Sequence, residues 1–295
     1  MEARWLLIST DTNQKIVHGE GPHWDQSSQC LYSVDIVGKK IIKTEYASQK
    51  SSIISLDEMV GFVVPIESGG LIAALQSGIY KVDELTNKFD LITEVEPNKP
   101  NNRPNDGKCD PEGRLWIGTM DLDLSEGASS LYRMDQAHNP DLQLDGLTLS
   151  NGLDWDRNLN IFYFIDSLSQ CIDAFEYDPL SGSITNRHTV INIPKENGLP
   201  DGMCIDVEGM LWVSLFGGGA IKRYNPNSGE CIATISIPTK YPTSCAFAGP
   251  NLNELWVTTS NLYLNDEEKL ADSIAGNLYI VETNTKGYPG NSFKI

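Results

Sequence analysis

Short apolar runs, rich in β-branched and aromatic side chains, alternate along the chain with turn clusters of Gly, Asn, Asp and Pro. This pattern predicts β-strands joined by tight turns, because such side chains fit the pleated, half-buried surface of a sheet. Clear examples are Leu211–Phe216, Ala220–Tyr224 and Cys231–Ile237, which GGG and NPNSG separate. No amphipathic helical pattern of any length interrupts the runs, so we predict an all-β fold.

One strand pattern, a small residue followed after one position by Leu-Trp-Val or a similar triplet, recurs along the chain. It is clear in GRLWIGTM (113–120), GMLWVSLF (209–216) and NELWVTTS (253–260), and weaker in QCLYSVDI (29–36), GGLIAALQ (69–76) and NIFYFIDS (160–167). The six copies, anchored at Asp25, Ile66, Asp110, Asp156, Asp206 and Pro250, are 41 to 50 residues apart. Units of about this length with four strands each are typical of propeller blades. We predict a single six-bladed β-propeller domain over residues 1–295.

The two ends of the chain predict how the ring closes. The sixth unit contains Ser244–Phe247, Glu254–Ser260 and Asn277–Val281 but no clear fourth strand, while Ala3–Ser9 precedes the first unit without a partner. We expect the N-terminal strand to complete the last blade. Such pairing would remove exposed sheet edges.

Four polar side chains occupy one register of the repeat, five residues before an aspartate. They are Glu20, Asn105, Asn151 and Asp201, before Asp25, Asp110, Asp156 and Asp206. Equivalent positions in a ring face a common centre, so these oxygens should converge on one channel. Each alone could simply shape a turn, and the four later aspartates are expected to cap turns. In the second and sixth units the register assigns this position to Gly61 and Cys245.

A set of carboxylate and amide oxygens favours a hard divalent cation. Ca²⁺, Mg²⁺ and Mn²⁺ suit such ligands, and Zn²⁺ is possible on mixed oxygens. The four histidines, His18, His23, His138 and His188, lack metal-site spacing. We expect one divalent cation, with Ca²⁺ favoured.

Arg103 lies two residues from Asn105 and could hold a substrate, because its planar guanidinium suits hydroxyl, carboxylate or phosphate groups. The alternative is an ordinary loop whose Arg pairs with a surface acid. No G-x-S-x-G, P-loop, H-E-x-x-H or dinucleotide motif is present, so metal-assisted attack by water is the chemistry that remains. The acidic segment Asp121–Ser130 could be a lid or a plain blade connection.

Charge and composition exclude several other classes of function. A formal net charge of -18, without a basic run, argues against nucleic-acid partners. The six cysteines are scattered and should be mostly reduced and buried. No apolar run approaches the roughly 20 residues that span a bilayer. A cytoplasmic monomer or weak dimer with no membrane partner is expected.

Several segments together closely resemble the regucalcin (senescence marker protein)/gluconolactonase family, which includes the insect luciferin-regenerating enzymes. They are GEGPHWD (19–25), NNRPNDGKCDPEGRLWIGTM (101–120), SNGLDWD (150–156), FYFIDSLSQCIDAFEYD (162–178) and PDGMCIDVEGMLWV (200–213). The resemblance covers nearly the whole chain and implies a six-bladed propeller. It also implies one divalent cation, held by residues matching Glu20, Asn151 and Asp201.

The resemblance further implies lactone hydrolysis. Asp201 would be both ligand and general base, Arg103 and Asn105 would hold a sugar lactone, and Asp123 would supply an acidic substrate contact. Asp123 stands where regucalcins carry glutamate, and Pro104 stands where they typically carry an aromatic residue. The metal and base assignments are therefore firmer than the identity of the substrate.

The main hypothesis is a metal-dependent lactonase that hydrolyses sugar lactones such as gluconolactone, with water activated by the metal and Asp201. One alternative is a luciferin-regenerating enzyme acting on oxyluciferin, which predicts aromatic or apolar pocket walls. A second alternative is a non-catalytic, calcium-binding regulatory propeller, which predicts cation binding without turnover.

Overall fold

A computed structural model describes the backbone of residues 3–6 and residues 16–294 in full. Its strands form six four-stranded antiparallel sheets arranged as the blades of a ring. The predicted all-β, six-bladed propeller is confirmed.

The blades follow one another along the chain, after the N-terminal strand β1 (Ala3–Leu6). Blade 1 contains β2 (Gly19–Asp25), β3 (Cys30–Asp35), β4 (Lys40–Glu45) and β5 (Ser51–Ser55). Blade 2 contains β6 (Val60–Pro65), β7 (Leu71–Leu75), β8 (Gly78–Asp83) and β9 (Lys88–Thr93). Blade 3 contains β10 (Asn102–Cys109), β11 (Leu115–Asp121), β12 (Ser129–Met134) and β13 (Asp141–Leu147).

The second half repeats this order. Blade 4 contains β14 (Ser150–Asp156), β15 (Ile161–Asp166), β16 (Cys171–Tyr177) and β17 (Ile184–Asn192). Blade 5 contains β18 (Leu199–Ile205), β19 (Leu211–Phe216), β20 (Ala220–Tyr224) and β21 (Cys231–Ser236). Blade 6 contains β22 (Pro242–Ala248), β23 (Glu254–Thr259), β24 (Leu278–Glu282) and β1.

Among the residues that the structure describes, helical structure is confined to short connections. Two 3₁₀ turns cover Ser167–Ser169 and Lys195–Asn197, and helix α1 (Asp266–Ala271) begins with a capping box between Asn265 and Glu268. Within residues 3–6 and 16–294, no helix has the length and apolarity needed to cross a membrane.

The N-terminal strand closes the ring, as predicted. β1 pairs antiparallel with β24, from Ala3 opposite Val281 to Leu6 opposite Leu278. Residues 7–9 of the predicted strand lie outside the described residues. Blade 6 therefore joins the first and last strands of the fold, and β24 is not left as an open sheet edge.

The apolar core consists of six clusters, one between each pair of neighbouring blades. Trp116 and Trp155, with ring centroids 5.7 Å apart, lie between blades 3 and 4. Trp24 and Trp256, 6.1 Å apart, lie between blades 6 and 1. Each blade thus buries both of its faces against neighbours, which fixes its orientation in the ring.

The cysteines largely follow the prediction. All six are free, and four are buried, whereas Cys171 is intermediate and Cys231 is exposed. The four predicted aspartates, Asp25, Asp110, Asp156 and Asp206, cap turns, as expected. For example, Asp206 Oδ1 accepts hydrogen bonds from the backbone N–H groups of Glu208 and Met210 at 2.9 and 3.0 Å.

The first strand of each blade, its inner strand, has a β-bulge or irregularity. In blades 1 to 5 this irregularity lies at or directly beside the predicted channel residue. In blade 5 the pairing shifts between Pro200 and Met203, which places Asp201 in the irregular stretch. Such bulges redirect side chains away from the regular alternation of a strand. This shared distortion gives the channel position its distinct orientation.

The structure corrects the assignment of Cys245 to the channel register of blade 6. Phe247 pairs with Leu255, whereas the equivalent Ile205 of blade 5 pairs with Leu211, so the blade 6 turn is two residues longer. Counting back across the longer turn places Thr243 at the bulge and Cys245 in the core between blades 5 and 6.

A segment over residues 284–294, which we call the strap, crosses one side of the ring and touches all six blades. Its contacts with blades 1 to 3 are hydrogen bonds from Gly290 N to Trp24 O, Phe293 N to Pro65 O and Lys294 N to Gly113 O. Its contacts with blades 4 to 6 are those of Arg157 Nη2 with Asn291 Oδ1, Val207 N with Lys286 O and Gly287 N with Leu252 O. The strap is thus a second closure of the propeller.

Two strap glycines lie so close to the ring of blades that neither has room for a Cβ atom. A side chain at Gly287 would meet the ring of Phe247, and one at Gly290 would meet the imidazole of His23. A cavity of about 50 Å³ lies there, bordered by Lys108, Asp154 and the strap. The strap therefore covers a small polar space and leaves little volume beneath it.

Candidate functional site

Glu20, Asn105, Asn151 and Asp201 line one cavity of about 300 Å³. They come from blades 1, 3, 4 and 5, so residues up to 181 positions apart in sequence meet there. Arg103 lines the same cavity. The structure thus brings together five of the six predicted site residues.

Neighbouring groups orient three of these side chains. Glu20 Oε2 accepts a hydrogen bond of 2.8 Å from the N–H of Gly21. Asn151 Nδ2 donates to Ser167 Oγ at 3.0 Å, and Asn105 Nδ2 donates to the carbonyl oxygen of Ser150 at 2.9 Å. Both amides are therefore held through their NH₂ groups.

The two predicted carboxylate ligands are buried and resist ionisation. Burial raises the pKa of Glu20 well above its usual range, and the nearby Asp201 raises it further. Burial also raises the pKa of Asp201, with Asp106 as the next cause. Charged carboxylates in this arrangement need a positive partner.

Asp106 is a third buried carboxylate that sequence reasoning did not single out. It lies in the β10 bulge and is 5% exposed, with Oδ1 accepting from Gly107 N at 2.7 Å and Oδ2 unpartnered among the described residues. Its place beside Asn105 was the only sequence signal. Because it raises the pKa values of Glu20 and Asp201, it adds to the negative character of the site.

Arg103 supplies positive charge at the same cavity. Its Nη1 donates to Asn105 Oδ1 at 2.9 Å and to Pro104 O at 2.8 Å, while its buried Nε has no partner within the described part of the chain. Burial lowers the Arg103 pKa to about 10, so the guanidinium is still charged at neutral pH. Its remaining donors suit an oxygen-rich ligand.

The residues present fit a divalent cation. The amide oxygen of Asn151 is buried without a hydrogen-bond partner in the described structure, and it lines the cavity with two buried carboxylates. Within residues 16–294, no three His, Cys, Asp or Glu side chains form a group that could hold a metal. A cation here would therefore depend on Asn151 as well as on Glu20 and Asp201, a hard oxygen set.

His18 also lines the cavity. It lies two residues before Glu20, as Arg103 lies two residues before Asn105, a signal that sequence reasoning missed. Its Nδ1 lies 2.8 Å from Ser260 Oγ. Burial, followed by the charge of Arg103, lowers its pKa to about 3, so the imidazole is neutral. It can offer a ring nitrogen or a flat surface to a ligand without adding charge.

Asp123, the sixth predicted site residue, is not among the residues that line the cavity. Its exposed carboxylate accepts a hydrogen bond of 3.0 Å from Asn101 Nδ2, and Asn101 also binds Asp121. Its neighbours Leu122 and Leu124 do reach the cavity. The proposed lid segment therefore borders the site, and a substrate contact by Asp123 stays a prediction.

The walls above the polar groups are apolar. They are formed by Met120, Leu122, Leu124, Leu149, Leu168, Leu199, Phe216 and Tyr263. Phe216 packs 4.7 Å from Tyr241 and edge-on, at 5.5 Å, against Tyr263. These residues come from four blades, and sequence reasoning did not group them. A signal was present, because Leu149 and Leu199 each lie two residues before a channel residue, and Met120 and Phe216 end equivalent copies of the strand motif.

Comparison with known proteins shows the family of the chain. Residues 18–261 match the family model described as the SMP-30/gluconolactonase/LRE-like region. The Bacillus subtilis protein named "Putative sugar lactone lactonase YvrE" is 36% identical over 96% of both chains. A solved luciferin-regenerating enzyme is 33% identical, with a TM-score of 0.91 over 100% of both chains.

A solved calcium-binding regucalcin from Agrobacterium tumefaciens is 26% identical, with a TM-score of 0.93 over 99% of this chain and 98% of that one. The likeness extends over the blades that carry the cavity residues. The chain belongs to the SMP-30/gluconolactonase/LRE-like family.

Proposed function

We propose that the protein is a divalent-cation-dependent lactonase acting on sugar lactones such as gluconolactone. The observation that carries this proposal is the meeting of Glu20, Asn151, Asp201 and Arg103 in one cavity. The sugar lactonase assignment of the Bacillus relative supports the reaction class. The calcium-binding Agrobacterium regucalcin supports Ca²⁺ as the first cation to test.

Glu20, Asn151 and Asp201 would hold the cation. When bound, a divalent cation polarises a carbonyl oxygen and lowers the pKa of nearby water. Its charge would also favour ionised Glu20 and Asp201, whose pKa values are raised in the protein alone. Binding of the cation would therefore also keep Asp201 ionised, which is the form that can act as a base.

Asp201 is proposed to be the general base. It takes a proton as the water oxygen bonds to the lactone carbonyl carbon, and returns it to the ring oxygen as the ester C–O bond breaks. The product is an open-chain hydroxy acid. No oxidant, reductant or second substrate is needed.

Arg103 and Asn105 are proposed to position the lactone. Because Arg103 already binds Asn105 Oδ1, the pair forms one polar edge with a fixed guanidinium plane. Arg103 lines the cavity, and its guanidinium carries several N–H donors that suit a substrate oxygen. Asp123 is proposed to contact the substrate once its carboxylate leaves its hydrogen bond with Asn101.

The test is hydrolysis of D-glucono-1,5-lactone by chelator-treated protein, before and after addition of Ca²⁺, Mn²⁺, Mg²⁺ or Zn²⁺. We expect cation-restored turnover in the wild type and a loss of at least about 100-fold in Asp201→Ala, as is usual when a positioned base is removed. The exposed Asp57→Ala is the matched control and should retain activity.

Cation binding without turnover of any lactone would overturn the proposal and favour the non-catalytic, calcium-binding alternative. Undiminished activity in a cation-loaded Asp201→Ala variant would instead remove Asp201 as the base while leaving the reaction class intact.

A second candidate function is conversion of oxyluciferin. The aromatic wall around Phe216 is the observation that favours it, since a flat heteroaromatic ligand can stack there. The luciferin-regenerating relative supports this reading. Consumption of oxyluciferin in the presence of cysteine, without lactone hydrolysis, would select it.

A further inference from the structure

The mouth of the cavity exposes large apolar side chains around a buried polar floor. Glu20, Arg103 and Asp201 are 6%, 7% and 7% exposed. The outer lining residues, which we call the rim, are Leu122, Leu124, Leu168 and Tyr263, with exposures of 40%, 43%, 44% and 61%. Exposed apolar side chains grouped at the entrance of one cavity commonly mark a binding surface.

The rim continues inward without a polar break on one side. Tyr263 packs edge-on against Phe216 at 5.5 Å, and Phe216 packs edge-on against the neutral imidazole of His18 at 6.3 Å. This aromatic wall joins the solvent-exposed mouth to the level of the polar floor. A ligand could therefore lie against it along its whole length.

Leu124 is held over the cavity in an uncommon backbone conformation, with a φ of 55°. Non-glycine residues rarely adopt this left-handed region and keep it only where the surroundings impose it. Here the turn is fixed by the Leu124 N–H, which donates to Asp121 O at 2.9 Å, and by Asn101, which bridges Asp121 and Asp123. The fold therefore presents this leucine to the cavity.

A fully hydroxylated lactone suits the floor but not the rim. Leucine side chains offer no hydrogen bond, so hydroxyl groups pressed against them would lose contacts with water without replacement. An alkyl or aryl group at that position would gain from leaving water.

We propose that the preferred substrates are lactones whose ring carries an apolar alkyl or aryl substituent. The ester group lies at Arg103 and the buried carboxylates, and the substituent lies against the rim. This inference rests on the proposed lactonase function and narrows its substrate class.

The experiment compares kcat/KM among six-membered lactones, which share one ring size. The substrates are D-glucono-1,5-lactone, δ-valerolactone, δ-nonalactone and δ-decalactone, each with the Ca²⁺-loaded full chain. Because burial of one methylene favours binding by up to about fourfold, kcat/KM should rise along the alkyl series. We expect δ-decalactone to exceed δ-valerolactone by at least about tenfold, since the rim buries the chain only in part.

Leu124→Ser and Leu168→Ser test whether the rim causes this preference. Each variant should lower the ratio of kcat/KM for δ-decalactone to kcat/KM for glucono-1,5-lactone by about fivefold or more, because the alkyl group contacts the rim. Leu85→Ser is the control, since Leu85 is 96% exposed and does not line the cavity. Leu85→Ser should leave kcat/KM unchanged for both lactones.

Fast hydrolysis of glucono-1,5-lactone with no gain along the alkyl series would overturn this inference and leave the proposed function standing. An alkyl preference that persists in both rim variants would also overturn it. Failure to hydrolyse any of the four lactones would overturn the proposed function and this inference together.

Discussion

Asn105 and Asn151 occupy equivalent positions in neighbouring blades, yet their amide oxygens have different surroundings. Asn105 Oδ1 accepts a hydrogen bond from Arg103 Nη1, whereas Asn151 Oδ1 is buried without a partner among the described residues. An unpaired buried carbonyl oxygen carries a free-energy cost that a bound cation would remove. The same residue type therefore serves different roles at the two positions.

We predict that Asn151→Ala raises the Ca²⁺ concentration needed for half-maximal activity by about tenfold or more. Asn105→Ala is the matched variant and should raise the KM for lactone while changing the Ca²⁺ requirement less than about twofold. Titration of chelator-treated protein with Ca²⁺, at several lactone concentrations, separates the two effects. The reverse pattern would exchange the proposed roles.

His23, beneath the strap, is expected to make the fold acid-sensitive. Burial lowers its pKa to about 4, Lys108 lowers it further and Asp25 opposes the shift. The unfolded chain binds this proton below about pH 6.5 and the folded chain only below about 4, so stability falls as pH drops between them. The loss could reach about 3 kcal/mol, because each unit of pKa difference is worth about 1.4 kcal/mol.

Urea unfolding at pH 7 and pH 4.5 checks this prediction. His23→Gln should lose less stability than the wild type between these pH values, while the exposed His188→Gln should behave as the wild type. An unchanged acid loss in His23→Gln would place the sensitivity elsewhere.

Residues at a repeated register were predictable, and residues brought in by packing were not. Glu20, Asn105, Asn151 and Asp201 were grouped correctly because each precedes an aspartate at the same offset. Asp106 has no such repeat, and its influence on Asp201 passes between blades. A single sequence carries no distance information of that kind.

Among the elements, strands with a strong apolar pattern were predictable in type and position, but the bulges of the inner strands were not. Leu211–Phe216 and Ala220–Tyr224 agree with the predicted bounds, because their apolar pattern and flanking turns are strong. The longer turn of blade 6 displaced the predicted register from Thr243 to Cys245. Turn length depends on backbone geometry that the apolar pattern does not encode.

The strap is expected to be intolerant of small additions. Gly287→Ala would place a methyl group against the ring of Phe247 and should lower the free energy of unfolding by about 1–3 kcal/mol, as overpacking typically does. Lys286→Ala is the control, because Lys286 is exposed and the strap uses its backbone carbonyl. In thermal unfolding, Gly287→Ala should unfold at a lower temperature than the wild type, and Lys286→Ala should unfold at the same temperature. Equal stability of Gly287→Ala and the wild type would mean that the strap can move away from the ring at little cost in free energy.

At the scale of the whole molecule, the proposed cation would join blades 1, 4 and 5. Ligand binding to the folded state alone should stabilise it by about 2.7 kcal/mol at a free cation concentration 100 times the Kd. We predict that Ca²⁺ raises the unfolding temperature of chelator-treated wild type, and that Glu20→Gln loses this rise. Without cation, Glu20→Gln should be at least as stable as the wild type, because an amide removes repulsion with Asp201.

Differential scanning calorimetry with and without Ca²⁺ measures both effects. An equal cation-induced rise in wild type and Glu20→Gln would remove Glu20 from the proposed ligand set.

The strap could not be predicted from the sequence, since residues 284–294 have no counterpart in the repeat.

The pairing of β1 with β24 also determines when the propeller can be completed during synthesis. β1 is synthesised long before its partner Leu278–Glu282. At about 5–20 residues per second, β1 waits roughly 15 to 55 s for that partner. During this interval β1 is an unpaired strand and the ring of blades is unfinished. Chaperone binding to the nascent chain should therefore peak just before the last blade emerges. A circular permutation that makes β1 and β24 adjacent in sequence would shorten the wait and should reduce this chaperone binding.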